Sequence, residues 1–393
     1  MNMSKQSRED YYKTVVRRYR NSDKKTKSLV LDEFCEVCGY NRKYAIRKLN
    51  TRKRNNYRKR PGRPKRYKDP ILLDVLFDLW EKQNLPCSKR LKASMPLWLP
   101  FYEERPLSQK IKTQLLEISP ATIDRLMIKM RKKIGKLGLA TTKPGSILKS
   151  HIPVKTGQWD ETRPGYLESD TVAHCGTSIA GSFVYTVNTV DIATGWTEQR
   201  ALWGKGYQGM HKALISIENN LPFPILGFDS DNGTEFLNWH LYRHFTNRKA
   251  PIQFTRSRPY KKNDNAHIEE KNWSIIRQYL GYNRFNKVEF VEELNQIYTS
   301  EWRLFMNFFR PSSKLQKKVR INGKIKKVYD NPKTPYQRLL ESDKISDTEK
   351  EKLKSQFNKL NPFKLQKDMV IKIKQFINKT TSIFEETKSA TFN

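Results

Sequence analysis

The sequence predicts an α/β protein whose centre is a mixed five-stranded sheet with flanking helices. Helical, basic segments precede this core, and a small basic β-hairpin with helices follows it. Between residues 163 and 290 short β-rich segments alternate with helical ones, whereas residues 24–133 repeat apolar side chains at helical spacing. Residues 1–150 hold 38 Lys and Arg against 14 Asp and Glu, residues 151–250 hold 8 against 10, and residues 251–393 hold 30 against 16. Two basic arms around a near-neutral core favour a polyanionic partner.

Residues 24–50 predict two short helices joined by a turn. Gly39 can end the first helix in a left-handed conformation, and Asn41 is a suitable N-cap for the second. The side chains expected to face inward are those of Leu29, Val30, Leu31, Phe34, Ala45, Ile46 and Leu49. Those expected to point outward from the second helix are Arg42, Lys43, Arg47 and Lys48. This pattern is typical of a helix-turn-helix that reads a major groove, although a solvated helix in a bundle gives the same pattern.

Residues 51–68 are too basic to form a core. They contain Arg60-Pro61-Gly62-Arg63-Pro64, followed by Lys65 and Arg66. The Gly-Arg-Pro centre resembles an AT-hook, an extended arm that fits a narrow minor groove. A basic linker that contacts phosphates only is an equally good interpretation.

Residues 69–133 predict further helices. Asp69-Pro70 and Ser119-Pro120 each place a capping side chain before a proline at the first helical position. The second of these helices would expose a basic face made of Arg125, Lys129, Arg131, Lys132 and Lys133. It forms either a second DNA-binding unit or a structural bundle. Glycines and prolines in 134–158 then indicate a linker.

Between 163 and 290 the predicted order is three strands, helix, strand, helix, strand, helix. The three strands form a meander, the fourth strand ends at Phe228, and Thr234 is a possible N-cap for the helix that follows. A long helix begins near Asn265. This order is that of the ribonuclease-H-like fold, in which the first and fourth strands are neighbours.

Three acidic residues lie where that fold brings its elements together. Asp170 is on the first strand, Asp231 follows the fourth, and Glu269 is on the late helix. Three such carboxylates can hold two Mg²⁺ (or Mn²⁺) ions beside a phosphodiester. Glu270 is an alternative to Glu269, and Asp229 could support Asp231. Cys175 and His174 are poor Mg²⁺ ligands, and His240 and His244 fit an ordinary helix face.

The motifs around these acids resemble those of retroviral-type integrases and bacterial insertion-sequence DDE transposases. Asp231-Asn232-Gly233-Thr234-Glu235-Phe236 is similar to their second motif. The third, at 258–273, has Asn272 three residues after Glu269, although Ala266 stands where many integrases have glycine. The resemblance covers about 160–290. It implies Asp170, Asp231 and Glu269 as catalytic metal ligands, cleavage at transposon ends, and strand transfer within a multimeric complex on double-stranded DNA.

Several residues near the third acid suit DNA contact. They are Lys261, Lys262, Lys271 and Asn272, together with Arg277. The His/His/Cys/Cys zinc unit of many integrases is not expected, because residues 1–150 contain no histidine. Residues 317–328 alternate apolar and basic residues around Asn-Gly, which predicts a β-hairpin.

The expected organisation has four parts. They are a DNA-binding region with its basic arm (1–68), a second helical region with linker (69–150), the catalytic core (151–310) and a basic C-terminal region (311–393). Four cysteines and no long apolar run predict a cytosolic protein with access to the chromosome. A nuclease of the same fold that joins nothing, and a catalytically silent DNA-binding regulator, are the alternative functions.

Overall fold

The computed structural model describes residues 3–51, 66–133, 161–230, 233, 235–236, 238–256, 268, 271–321 and 324–391. The chain divides into two compact units, Met1–Arg66 and Tyr67–Asn393. The four-part organisation expected from the sequence stays a prediction. No helix in the described part of the chain is both long and apolar enough to span a bilayer.

The described residues of the unit Met1–Arg66 form three helices around a small core. They are α1 (Lys5–Asn21), α2 (Lys24–Cys38) and α3 (Arg42–Asn50). Gly39 ends α2 with φ of 66°, and the Asn41 side chain accepts a hydrogen bond from the Lys43 N–H, so both predicted caps are confirmed. The predicted inward positions of Leu29 and Ile46 are wrong, because these side chains are 70% and 39% exposed.

The second unit begins with helices that share one core with the sheet. They are α4 (Pro70–Lys82), α5 (Ser88–Trp98), a 3₁₀ turn (Leu99–Phe101), α6 (Gln109–Glu117) and α7 (Pro120–Lys133). Asp69 caps α4 as predicted, accepting from the Ile71 N–H. The Trp98 indole donates to the carbonyl of Phe309 across a separation of 211 residues. These helices therefore pack directly on the elements that follow the sheet.

The sheet has the predicted ribonuclease-H-like arrangement. Its strands are β1 (Tyr166–Ala173), β2 (Val184–Asp191), β3 (Thr197–Trp203), β4 (Gly227–Ser230) and β5 (Gln253–Arg256). Their order is β3-β2-β1-β4-β5, antiparallel within the β1–β3 meander and parallel from β1 through β4 to β5. The connecting helices are α8 (Tyr207–Asn220) and α9 (Trp239–Thr246). The N-cap of α9 is Asn238 rather than Thr234, which lies outside the described residues.

The elements after the sheet pack against it and against the N-terminal helices of the same unit. A π-helix (Asn272–Arg277) continues as α10 (Gln278–Leu280). The chain continues with α11 (Glu289–Ile297), a π-turn (Tyr298–Trp302) and α12 (Arg303–Phe308). The predicted hairpin is confirmed as β6 (Leu315–Ile321) and β7 (Lys324–Tyr329). The C-terminal helices are α13 (Pro335–Glu341), α14 (Asp347–Phe357) and α15 (Pro362–Thr391).

Candidate active site

Asp170 lies on the central strand β1, beside the carboxyl end of β4. The register pairs Ser169 with Ser230, the residues that directly precede Asp170 and Asp231 in the sequence. The neighbouring strands approach closely, because a Cβ at Gly227 would stand 2.5 Å from the ring of Tyr166. Glycine is therefore required at this position for β4 to pair with β1 as it does.

A chain of amide hydrogen bonds fixes one oxygen of the Asp170 carboxylate. Asn272 Nδ2 donates to Asp170 Oδ2 at 2.6 Å, and Asn188 Nδ2 donates to Asn272 Oδ1 at 2.8 Å. Asn188 Oδ1 in turn accepts from Gln199 Nε2 at 2.8 Å and from Thr197 Oγ1. Because the donors at β3 occupy the oxygen of Asn188, its amide nitrogen faces Asn272, and the Asn272 amide must then turn its own nitrogen toward Asp170.

The register explains why these polar side chains meet. Asp170 pairs with Asn188 across β1 and β2, and Asn188 pairs with Gln199 across β2 and β3. Cross-strand partners share a face of the sheet, so one polar row runs from the centre of the sheet to its edge. The other oxygen of Asp170, Oδ1, accepts from the N–H of Thr171 at 2.7 Å.

The segment of the third motif is attached to the same face of the sheet at two points. The N–H of Ile268 donates to Glu168 Oε2 at 3.2 Å, and Asn272 bonds to Asp170 as described. Ile268 is fully buried and the Glu168 side chain is 1% exposed. Glu168 and Asp170 are two residues apart on β1 and therefore share a face. Glu269 lies between these two attachment points in the sequence.

Glu235 connects the second motif to the other face of β1. Its Oε1 accepts from Thr171 Oγ1 at 2.8 Å and from Lys205 Nζ at 2.7 Å, and the side chain is 2% exposed. Sequence reasoning noted Glu235 only as part of the motif and missed this contact. Asn188 and Gln199 were missed altogether, because only the strand register brings them to Asp170.

Several predicted site residues lie outside the described part of the chain. These are Asp231, Glu269, its alternative Glu270, and the basic residues Arg60, Arg63, Lys65, Lys261 and Lys262. Asp229, the predicted supporting acid, is 3% exposed and accepts from Thr255 Oγ1 at 2.5 Å. Among the described residues no group of three or more His, Cys, Asp or Glu side chains has the spacing of a metal site.

The predicted DNA-contacting residues of α3 differ in their surroundings. Lys43 is exposed, and the Arg47 guanidinium lies 5.6 Å from the centre of the Tyr44 ring. Arg42 forms an ion pair with Asp32. Lys48 is the most enclosed, because its ammonium group contacts Glu9 at 3.2 Å and the Tyr40 hydroxyl at 3.4 Å. Arg66, the last residue of the first unit, is exposed, and Lys271, the residue before the π-helix, is partly exposed.

His174 is part of the packing at the far end of β1. It is fully buried, stacks on Phe285 with ring centroids 4.6 Å apart, and its Nε2 bonds to Thr186 Oγ1 at 2.8 Å. Burial, and to a lesser degree the nearby Arg277 charge, lowers the pKa of His174 to about 3. On the outer helices, His240 stacks on Tyr207, and His244 contacts His211 and Glu218.

No family model matches the chain. Its structure has a TM-score of 0.28 with the HTLV-2 integrase catalytic core in complex with magnesium, at 15% identity, over 39% of this chain and 92% of that one. With the BIV integrase catalytic core the TM-score is 0.29 and the identity 13%, over 46% of this chain and 95% of that one. Because these TM-scores are low, the fold is assigned from the order of the strands in the sheet and not from these structures. The sequence is 37% identical over 347 residues to uncharacterized protein y4rM of Sinorhizobium fredii, which covers 86% of this chain and 96% of that protein. The chain belongs to the same family as y4rM.

Proposed function

We propose that this protein is a DDE-type transposase, which cleaves DNA at the ends of a mobile element and joins the 3′ ends to target DNA. Asp170, Asp231 and Glu269 are its catalytic carboxylates in this proposal. The single observation that supports it most is the position of Asp170, between the end of β4 and the attached third motif. The Ser169–Ser230 pair precedes two of the acids, and the attachment points at Ile268 and Asn272 flank the third.

The chemistry of the donor set fits magnesium or manganese. The oxygens of the Asp170 carboxylate accept from the Thr171 N–H and from the Asn272 amide, and carboxylates are the ligands that such hard cations take. Asp170, Asp231 and Glu269 would hold two ions. Bound there, the metal would lower the pKa of an attacking water or 3′-hydroxyl and offset charge on the phosphorus.

The remaining site residues act by positioning. Asn272 orients the Asp170 carboxylate, and Asn188 with Gln199 orients Asn272. Glu235 anchors the second motif to β1 through Thr171. Because Asn272 joins the third motif to β1 and Glu235 joins the second motif to it, both motifs are held at β1 by contacts within the chain.

The basic regions supply DNA binding in this proposal. α3, with exposed Lys43 and Arg47, would contact the terminal repeats, together with the basic arm around Arg60 and Arg63. Lys261, Lys262, Lys271 and Asn272 would position the DNA end near the carboxylates. Cleavage at two ends of one element would require more than one copy of the chain on the DNA.

The test uses the full-length protein and DNA cloned from both flanks of its gene. With Mg²⁺ the wild type is expected to nick at the element ends and to join a pre-cut end to plasmid DNA. Asp231→Asn and Glu269→Gln are expected to abolish both reactions while duplex binding is retained. Normal metal-dependent cleavage by Asp231→Asn would contradict the proposal. Cleavage without joining of the pre-cut end would identify a nuclease instead.

A further inference from the structure

A groove of about 650 Å³ opens beside the π-helix within the second unit. One wall is formed by 83–90, which are the loop after α4 and the first residues of α5. A second wall is the π-helix itself, and the third is formed by 309–315 with the end of β7. The groove begins next to the candidate site, because its lining residues Lys271 and Trp273 flank Asn272 in the sequence.

The groove is strongly basic on all three walls. The cations that line it are Lys89, Arg90, Lys271, Arg310, Lys314 and Lys327. Among its described lining residues the one carboxylate is Asp191, which is buried and accepts from Gly165 and Thr194. Lys89 and Lys327 are exposed and form no ion pair with any residue the structure describes. The positive charge of Lys89 and Lys327 favours an anionic occupant.

Two aromatic side chains face this charge. Trp273 is 47% exposed and Tyr329 is 49% exposed, although the largest aromatic side chains of the core, such as Trp98 and Trp302, are buried. Neither exposed ring contacts another aromatic ring in the described part of the chain. Cations combined with accessible aromatic faces are the features that bind unpaired nucleotides, because bases stack and phosphates pair with charge.

The size of the groove indicates which form of nucleic acid it can hold. A volume of about 650 Å³ is that of a small-molecule site, which encloses one or a few nucleotides and is far smaller than a segment of duplex. We propose that the groove holds a short unpaired stretch of one DNA strand next to the scissile phosphate. Bases would stack on Trp273 and Tyr329, and phosphates would contact Lys89 and Lys327. This inference rests on the proposed function, because that reaction supplies the strand.

Cys87 provides a direct test, because it is exposed and lines the groove. Forked duplexes would carry an activated disulfide tether on one nucleotide, and the Cys87 thiolate would displace the small thiol and become linked to the DNA. Tethers in the unpaired arm are expected to link to the full-length protein at least tenfold faster than tethers in the duplex. The matched control is Cys87→Ser, which is expected to remove the linkage to the arm.

Substitutions of the aromatic side chains complete the experiment. Trp273→Ala and Tyr329→Ala are each expected to reduce arm linkage about tenfold, and Trp273→Phe about twofold or less. Trp239→Ala, which removes an equally exposed ring on α9, is expected to have no effect. Equal linkage from arm and duplex tethers, or full linkage in Trp273→Ala, would overturn the groove assignment.

The outcome is separable from the test of the proposed function. Strand joining is measured in the same samples, so a protein that joins ends but links no arm contradicts the groove alone. A protein that links the arm but neither cleaves nor joins contradicts the proposed function alone.

Discussion

The two faces of the sheet use their carboxylates in opposite ways. On one face Glu198 is buried, and its oxygens contact the guanidinium groups of Arg200 at 3.3 Å and Arg303 at 2.6 Å, with the Trp196 indole at 3.0 Å. On the other face Asp170 is only partly buried and bonds to the Asn272 amide. The first arrangement neutralises a charge inside the fold. The second orients one oxygen of the carboxylate through a neutral amide donor.

Under the proposed function, this difference indicates that the Glu198 face stabilises the fold and the Asp170 face carries the reaction. Two guanidinium groups around one buried carboxylate leave it no capacity for a metal ion or substrate. An amide is neutral, so it orients a carboxylate without offsetting its attraction for cations. The comparison therefore predicts that substitutions on the Asp170 face change activity, whereas those on the Glu198 face change stability.

Asp170→Asn is expected to give the largest effect. The amide keeps the shape of the side chain but removes the charge, so cleavage and joining are expected to fall roughly a thousandfold or more. The free energy of unfolding should change by less than about 1 kcal/mol. Joining assays and urea denaturation measure the two quantities. Asp343→Asn, at an exposed site, is the matched control, and a stability loss in Asp170→Asn without loss of activity would break the comparison.

Glu198→Gln is expected to show the reverse pattern. It leaves Arg200 and Arg303 buried around a neutral side chain, which is expected to cost about 3–5 kcal/mol of unfolding free energy. Activity per folded molecule should stay within about twofold at low temperature. Glu351→Gln, which removes only a surface ion pair with Lys354, should change stability by less than about 1 kcal/mol. An unchanged denaturation midpoint in Glu198→Gln would contradict the structural role.

The sequence predicts those parts of the fold that have local signals. The order of strands and helices, the caps at Gly39, Asn41 and Asp69, and the β6–β7 hairpin each follow from residues within a few positions of one another. Helix α5 was not predicted, because its N-cap residue Cys87 makes no capping hydrogen bond and Pro96 lies inside it. Tertiary packing, not local propensity, holds this helix.

The errors and omissions have related causes. Leu29, Val30 and Leu31 are consecutive, and a helix turns by about 100° per residue, so one face cannot bury all three. The contact of Asn188 with Asn272 spans 84 residues and depends on strand register. No pattern along the chain specifies such a pair. Sequence reasoning therefore placed Asp170 on the central strand and singled out Asn272, but could not find the hydrogen bonds that connect Asn188, Asn272 and Asp170.

Asn272→Leu tests whether the amide acts on the carboxylate rather than on the fold. Loss of the orienting bond is expected to lower the joining rate about 10- to 100-fold and to raise the Mg²⁺ concentration for half-maximal rate. Asn295→Leu is the comparator, because the Asn295 amide bonds to the backbone N–H and carbonyl of Ala201, at 2.7 and 3.0 Å. That variant should lose about 1–3 kcal/mol of stability and keep its Mg²⁺ dependence. If the joining rate depends on Mg²⁺ concentration in the same way in Asn272→Leu and wild type, the positioning role of Asn272 is contradicted.

The smallest predicted effect is a change of protein stability with pH that is caused by His174. This residue lies on the Asp170 face, away from the acidic residues. His174 is neutral in the folded protein because its pKa is lowered to about 3, whereas in the unfolded chain it binds a proton below its ordinary value of 6.5. Its contribution is therefore complete above pH 6.5 and is lost as the pH falls toward 3. Between pH 7.5 and pH 5 this loss should be about 2 kcal/mol.

His174→Phe is expected to remove that loss. Phenylalanine can keep the stacking on Phe285, and Thr186 Oγ1 retains the Tyr298 hydroxyl at 2.9 Å. Asp191 opposes the effect, since burial raises its pKa to about 6 and the folded state gains a proton on acidification. The difference between wild type and variant cancels the Asp191 contribution, which is common to both. The free energies of unfolding of the two proteins could instead change in parallel from pH 7.5 to 5. That result would show that His174 is protonated in the folded protein, and it would contradict the prediction.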